Sequence, residues 1–212
     1  DARACDVGVV QSDDVTVDMQ ATRATLDRWM SDLPATVERE TGRLAGGYDL
    51  VIGDVPSPAF TAAERAGIPG VAIANFSWDW IYAELGFEAA AAVTAAGYVK
   101  AKLLLECVPF GPMTAFRHRL DVGLVARTPS RARAASRSAL GLGIDDSLVL
   151  LAFQPASAPA LQLPVARPGR TYLVPSGWPE VASRNDVRAL PDGMRFEDAL
   201  SACDVVVGKP GY

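Results

Sequence analysis

The stretch DLVIGDVPSPAFTAAERAGIPGVAIANFSWDWIY, residues 49–82, leaves few folds open to this chain. Asp49–Gly53 is a short apolar run closed by Asp54. Ser57 is a residue type that caps helices, and Pro58 suits a first helical position, where its missing N–H would have no partner anyway. Gly67 ends the helix and Pro69 follows it. Val71–Ala74 is a second apolar run. Two apolar strands joined by one helix form a right-handed βαβ unit with parallel strands. Polar residues follow each strand directly: Asp54 after the first, then Asn75, Ser77 and Asp79 after the second. Ligands of open α/β sheets sit outside the carboxyl ends of the strands. Function is therefore sought at Asp54 and along Asn75–Tyr82.

The 212 residues allow one large domain or two small ones, and half of them are apolar, enough for a core rather than global disorder. A net charge of −5 argues against a nucleic-acid partner. The run carrying Arg131, Arg133 and Arg137 has no interleaved aromatics and reads as a solvated helix face. Cys5, Cys107 and Cys203 are odd in number and far apart, which fits neither a disulfide framework nor a zinc site. A reducing, cytoplasmic location without a bound metal is expected. No apolar run is long enough to span a membrane. Peripheral membrane contact and oligomeric state stay open. The chain begins without methionine near one strand and stops at Lys209–Tyr212 after another, the pattern expected of a fragment cut at both ends.

Taken in order, Asp6–Gln11 reads as a strand. A helix begins at Asp18, with Leu26, Trp29, Met30, Leu33 and Val37 at core spacing. Pro34 makes it either one kinked helix or two, with Asp32 capping the second. Glu88–Val99 is an Ala-rich helix in which Gly97 is a weak point. Leu103–Cys107 and Asp121–Ala126 are strands. His118, the single histidine, sits between Arg117 and Arg119 with no oriented partner and reads as a solvated loop residue. Thr128–Ser130 is a linker. Beyond it come a basic helix (Arg131–Leu140), strands at Leu148–Phe153, Thr171–Val174, Val187–Leu190 and Asp204–Val207, and a helix at Phe196–Ala202. The alternation predicts an α/β protein with two Rossmann-like domains, residues 1–128 and 129–212.

Four stretches carry a family resemblance: DLVIGDVPSPAF (49–60), AGIPGVAIANFSWDWIY (66–82), PFGPM (109–113) and ALSACDVVVGKPGY (199–212). In that order they resemble bacterial glycosyltransferase-type proteins and the glycosyltransferase-like region of plant L-arabinokinases. These are related at fold level to the glycosyltransferase that makes lipid II. NFSWDWIY is the most specific of these motifs and GKPGY the weakest. The resemblance implies a GT-B fold, two Rossmann-like domains with parallel sheets facing across a cleft, both incomplete here. It implies transfer of a sugar from a nucleotide-sugar, such as a UDP-sugar, to an unknown acceptor hydroxyl, with no cofactor and no metal. The alternative it implies is a non-catalytic sugar- or nucleotide-binding domain, as in the region fused to sugar kinases. Carried over by residue, Asp54 and Asp79 are candidate bases, and Asn75, Ser77, Trp78 and Trp80 form the acceptor loop. Lys209, Gly211 and Tyr212 would meet the donor phosphates.

Plainer readings stand beside these. Asp54 could cap the loop before Ser57. Trp78 and Trp80 could be core residues with Asp79 as a helix cap. Lys209 could be a solvated strand-end residue. One departure is plain: where the family has a Gly-Gly turn, this chain has Phe153-Gln154-Pro155-Ala156-Ser157, and the proline removes an N–H from a turn expected to cradle phosphate. The fragment by itself is expected to be inactive.

Overall fold

The apolar runs pair into two separate four-stranded parallel sheets. The structure is a computed structural model and describes residues 5–14, 16–143 and 145–208. Lys209, Gly211 and Tyr212 lie outside the described residues. The chain divides into two units: Asp1–Val10 with Asp18–Val125, and Gln11–Val17 with Ala126–Tyr212. The two sheets and the helices around them give the Rossmann-like α/β architecture expected. No helix among the described residues is long and apolar enough to cross a membrane.

In the first unit, β1 (Val51–Gly53), β2 (Gly70–Ala74), β3 (Leu103–Cys107) and β4 (Arg119–Gly123) lie side by side in chain order, every pair parallel. A 26-residue helix, α1 (Met19–Leu44), precedes them, and its N-cap Asp18 accepts a bond from Ala21 N–H at 2.9 Å. Pro34 stands inside this helix without dividing it. Leu26 and Trp29 before the proline and Val37 after it are all buried, so one apolar face continues through the break. Between β1 and β2 runs α2 (Ser57–Arg65), and between β2 and β3 run α3 (Trp78–Glu84) and α4 (Glu88–Tyr98). Phe60, Tyr98 and Phe116 meet at the centre of the core, Tyr98 stacked on Phe116 with ring centroids 4.8 Å apart and Phe60 tilted to the one and edge-on to the other.

Gly97 is no weak point. It is where α4 meets α2: a Cβ there would lie 2.7 Å from the Ser57 carbonyl oxygen. His118 is exposed, as expected, and its carbonyl accepts from Leu104 N–H at 2.8 Å. The expected strand at Asp6–Gln11 does not form a ladder; Gln11 makes one isolated antiparallel bridge with Val17. Side chains hold the segment instead. Trp29 Nε1 donates to the Cys5 carbonyl at 3.2 Å, and the Tyr82 hydroxyl donates to the Val7 carbonyl.

In the second unit, β5 (Ser147–Ala152), β6 (Arg170–Val174), β7 (Val187–Ala189) and β8 (Val205–Gly208) are arranged β7-β6-β5-β8, again all parallel. The chain winds outward from β5 to β7 and returns on the other side of β5. Helix α5 (Arg133–Ala139) carries the basic run, and α6 (Phe196–Ala202) precedes β8. Arg137 is not part of a solvated face: it is 6% exposed and donates to the carbonyls of Ala202, Gly143 and Asp146. Arg131 and Arg133 stay exposed. On β8, Val205, Val206 and Val207 are 42–50% exposed.

Candidate functional site at the carboxyl edge of the first sheet

Parallel pairing puts the ends of β1, β2 and β3 on one edge. Asp54 follows β1 there, Asn75 follows β2, and the loop 108–113 follows β3. The last two interlock. Gly111 N–H donates to the Asn75 carbonyl at 2.9 Å, and any Cβ at Gly111 would lie 2.5 Å from the Trp80 ring. Only glycine lets that loop close on the indole. Behind Asp54 the backbone is strained: Val55 has φ +52°, a left-handed conformation that a β-branched residue rarely adopts. It is held by burial and by the Tyr98 hydroxyl, which donates to the Val55 carbonyl at 2.9 Å. Such strain costs on the order of 1–3 kcal/mol and fixes where the edge turns.

The expected loop over Asn75–Tyr82 is shorter than the sequence suggests, because α3 begins at Trp78. Trp78 is a core residue, stacked on Tyr82 with centroids 5.5 Å apart and edge-on to Phe76 at 5.1 Å. Ser77 is fully buried, and its Oγ has no hydrogen-bond partner among the described residues. Asp79 lies in the first turn of α3, where the helix dipole favours a negative charge. It is half-buried, and its Oδ1 is shielded from water without a hydrogen-bond partner among the described residues. Asn75 and Trp80 are half-buried beside it. Asp54, Asn75, Asp79 and Trp80 are thus positioned by one edge, with Ser77 and Trp78 beneath.

Asp6 joins this group without having been legible in the sequence. Burial pushes its carboxyl above the ordinary value; a bond from the Trp78 side chain pulls the other way, and the Asp54 charge adds to the rise. Asp54 is exposed on the edge, yet burial of part of its carboxyl raises it too. Burial also pushes the Tyr82 and Tyr98 hydroxyls up, so both are proton donors. The Tyr82 and Tyr98 hydroxyls are spent inside the protein, on the Val7 and Val55 carbonyls, so the groups this edge leaves for a ligand are the carboxyls of Asp54 and Asp79. No group of three or more described His, Cys, Asp or Glu side chains could hold a metal. An aspartate just before an apolar run is a common pattern, so Asp6 gave no signal of its own.

In the second unit the turn after β5, which departs from the family's Gly-Gly pattern, is tied within the protein. Gln154 N–H and Ser157 Oγ both donate to the Asp14 carboxylate, the latter at 2.9 Å.

Comparison with known proteins agrees with the motifs. No family model matches the chain. It is 32% identical over 228 residues to L-arabinokinase of Arabidopsis thaliana, an alignment covering 98% of this chain and 21% of that protein. The chain therefore spans about a fifth of the curated relative's length. Among solved structures, MurG of Acinetobacter baumannii aligns with a TM-score of 0.41 and 15% identity, over 99% of this chain and 59% of that one. Over nearly all its length the chain is similar to one region of a plant L-arabinokinase, and its fold is the pair of parallel α/β sheets that the sequence pattern predicts.

Proposed function

We propose that this chain is a sugar-recognition region of glycosyltransferase-like architecture whose binding face is the carboxyl edge of the first sheet. The observation that carries this reading is Asp79: a carboxylate oxygen shielded from water and unpaired among the described residues, beside the half-buried Trp80. A shielded acceptor without a donor is costly unless a ligand supplies one, and sugar hydroxyls are such donors. The Trp80 indole offers the apolar face on which a sugar ring packs. The name of the plant relative makes L-arabinose the first probe, with other pentoses, hexoses and UDP-sugars completing the panel. Calorimetry of wild type and Asp79→Asn tests it. Binding of one panel member, weakened about tenfold by the substitution, about 1.4 kcal/mol, is expected. No binding by any member, or an unchanged affinity in Asp79→Asn, overturns it.

A second reading is sugar transfer from a nucleotide-sugar to an acceptor hydroxyl, favoured by Asp54. A carboxyl pushed up by burial on the acceptor edge is a better proton acceptor than an ordinary aspartate. In this reading Asp54 or Asp79 takes the acceptor proton, Asn75 and Trp80 shape the acceptor site, and the buried Ser77 and Trp78 support it from beneath rather than touching the acceptor. Lys209, Gly211 and Tyr212 meet the diphosphate. Lys209→Ala then weakens nucleotide-sugar binding by about 1.5–3 kcal/mol. Release of UDP from UDP-sugars by the longer protein, abolished in Asp54→Asn, is the expected result. Absence of release leaves recognition alone.

A further inference from the structure

The two faces of the second sheet are covered differently. On one, Leu148, Leu150 and Leu173 pack with Leu140 at the end of α5 and with Ala199 and Ala202 of α6. The cluster on the other face, built on Val149, Leu151, Phe153 and Tyr172, receives no α-helix residue among those described. The connection from β5 to β6 explains this. It is a short 3-10 helix (Pro155–Ala160) followed by an irregular strap, residues 161–167, and prolines at 159, 164 and 168 keep it from becoming the helix such a crossover normally supplies. The strap is pinned down: Leu161 N–H donates to the Ala158 carbonyl at 3.0 Å, and the Arg184 guanidinium donates to the Pro164 carbonyl at 2.8 Å. Leu161 and Leu163 pack onto the cluster.

Between the strap and β8 a cavity of about 450 Å³ remains, the size of a small-molecule site. Register sets Val205 beside Val149 and Val207 beside Leu151, so β5 and β8 share its floor, and half-exposed Val205 and Val207 form its open side. The wall is apolar except at one end. Arg170, the first residue of β6, shares a face with Tyr172 two positions on. Arg170 is half-buried, and its guanidinium makes no ion pair or hydrogen bond among the described residues. Tyr172 is 3% exposed, and its hydroxyl makes no hydrogen bond among the described residues. Two unspent donors, one of them charged, thus stand at the amino end of an otherwise apolar trough.

We propose that this cavity binds a small free amphiphile with an anionic head, its carboxylate on Arg170 and its apolar body along β5 beneath the strap. A guanidinium pairs with a carboxylate through two parallel charge-assisted bonds, and the Tyr172 hydroxyl is a further donor beside it. From Val149 to Phe153 the strand rises about 13 Å, the reach of a medium-length alkyl chain. An alcohol head accepts a bond without the charge, and an ammonium head is repelled. The head lies at the start of β6, at the opposite end of the sheet from the turn after β5. No residue is shared with the sugar face of the first sheet, so either reading stands or falls alone.

The probe is decanoate below its micelle concentration, titrated by calorimetry, with decan-1-ol and decylamine as head-group controls. Wild type is expected to bind decanoate at least about tenfold more tightly than decanol and to bind decylamine weakest. Arg170→Gln is expected to abolish that preference and leave decanol binding unchanged. Val207→Glu, which sets a carboxylate at the open side, is expected to weaken decanoate at least about tenfold. Equal wild-type affinity for decanoate and decanol, or a preference that survives Arg170→Gln, overturns the proposal. So does wild-type decanoate binding in Val207→Glu, which would place the ligand elsewhere. Absence of decanoate binding also overturns it and leaves this face to a protein partner or a second copy. Should Arg170→Gln not fold, the wild-type head-group ranking together with Val207→Glu decides.

Discussion

Gly97→Ala should destabilise the first unit although it is a helix-favouring substitution. In an exposed helix the change gains about 1 kcal/mol. Here the new Cβ would stand 2.7 Å from the Ser57 carbonyl oxygen, 2.8 Å from Ser57 Cβ and 3.1 Å from Ser57 C, and two of these atoms are backbone. Ser57 opens α2, and Phe60 one turn on is fully buried against Tyr98 and Phe116, so α2 cannot retreat without opening the core. Overpacking of this kind costs about 1–3 kcal/mol, leaving a net loss of up to about 2 kcal/mol after the helix gain. For a unit of this size that lowers the melting temperature by several degrees. Gly42→Ala in α1 is the control, because nothing lies within 4 Å of its added Cβ; it should stabilise by about 0.5–1 kcal/mol. Urea denaturation followed by circular dichroism would compare the two. A Gly97→Ala protein as stable as Gly42→Ala, or more stable than wild type, would refute the packing argument.

Arg137→Leu should cost about 2–4 kcal/mol, chiefly because three carbonyls lose their donor; denaturation midpoints should show Arg137→Lys recovering part of it. The second unit should lose stability in acid. The Ser130 hydroxyl and the neighbouring N–H groups hold Asp198 below its ordinary value, and the Leu148 N–H does the same for Asp204. Stability from these groups is complete above the unfolded pKa of about 4 and is lost as pH falls through the folded values; melting curves of Asp198→Asn should flatten over that window. Asp54 has the opposite sign. Its raised carboxyl stabilises while protonated and loses that contribution as pH rises through the folded value, so Asp54→Asn should melt above wild type at neutral pH, with the difference fading in acid.

Most of the parallel strands were legible because they are short apolar runs flanked by glycine, proline or aspartate, and register then places Asp54 and Asn75 on one edge; β4 was not, since Arg119–Gly123 is exposed and mixes Arg119 and Asp121 with its apolar residues, so the pattern put that strand at Asp121–Ala126. Nor was the start of α3. Phe76 and Trp78 next to Ser77 and Asp79 read locally as a polar loop, whereas the helix is set by Trp78 stacking on Tyr82. Arg137 and Gly97 were misread for one reason: a charge or a glycine on a helix looks solvated or weak until the neighbour it meets is known. The allegiance of residues 11–17 to the second unit rests on Asp14 meeting Ser157, 143 positions away, and no local pattern encodes such a pairing.

The segment at residues 5–10 has a consequence of its own. Its backbone pairs with no ladder strand, and it is gripped through two carbonyls and a carboxylate by Trp29, Tyr82 and Trp78. Structurally it behaves as a docked peptide that happens to share a chain with its receptor. Such a grip can be cut and rejoined: a synthetic hexapeptide of residues 5–10 added to a protein lacking them should restore the first unit's folding in trans. Phe in place of Tyr82 should weaken that complementation while leaving the sheet intact.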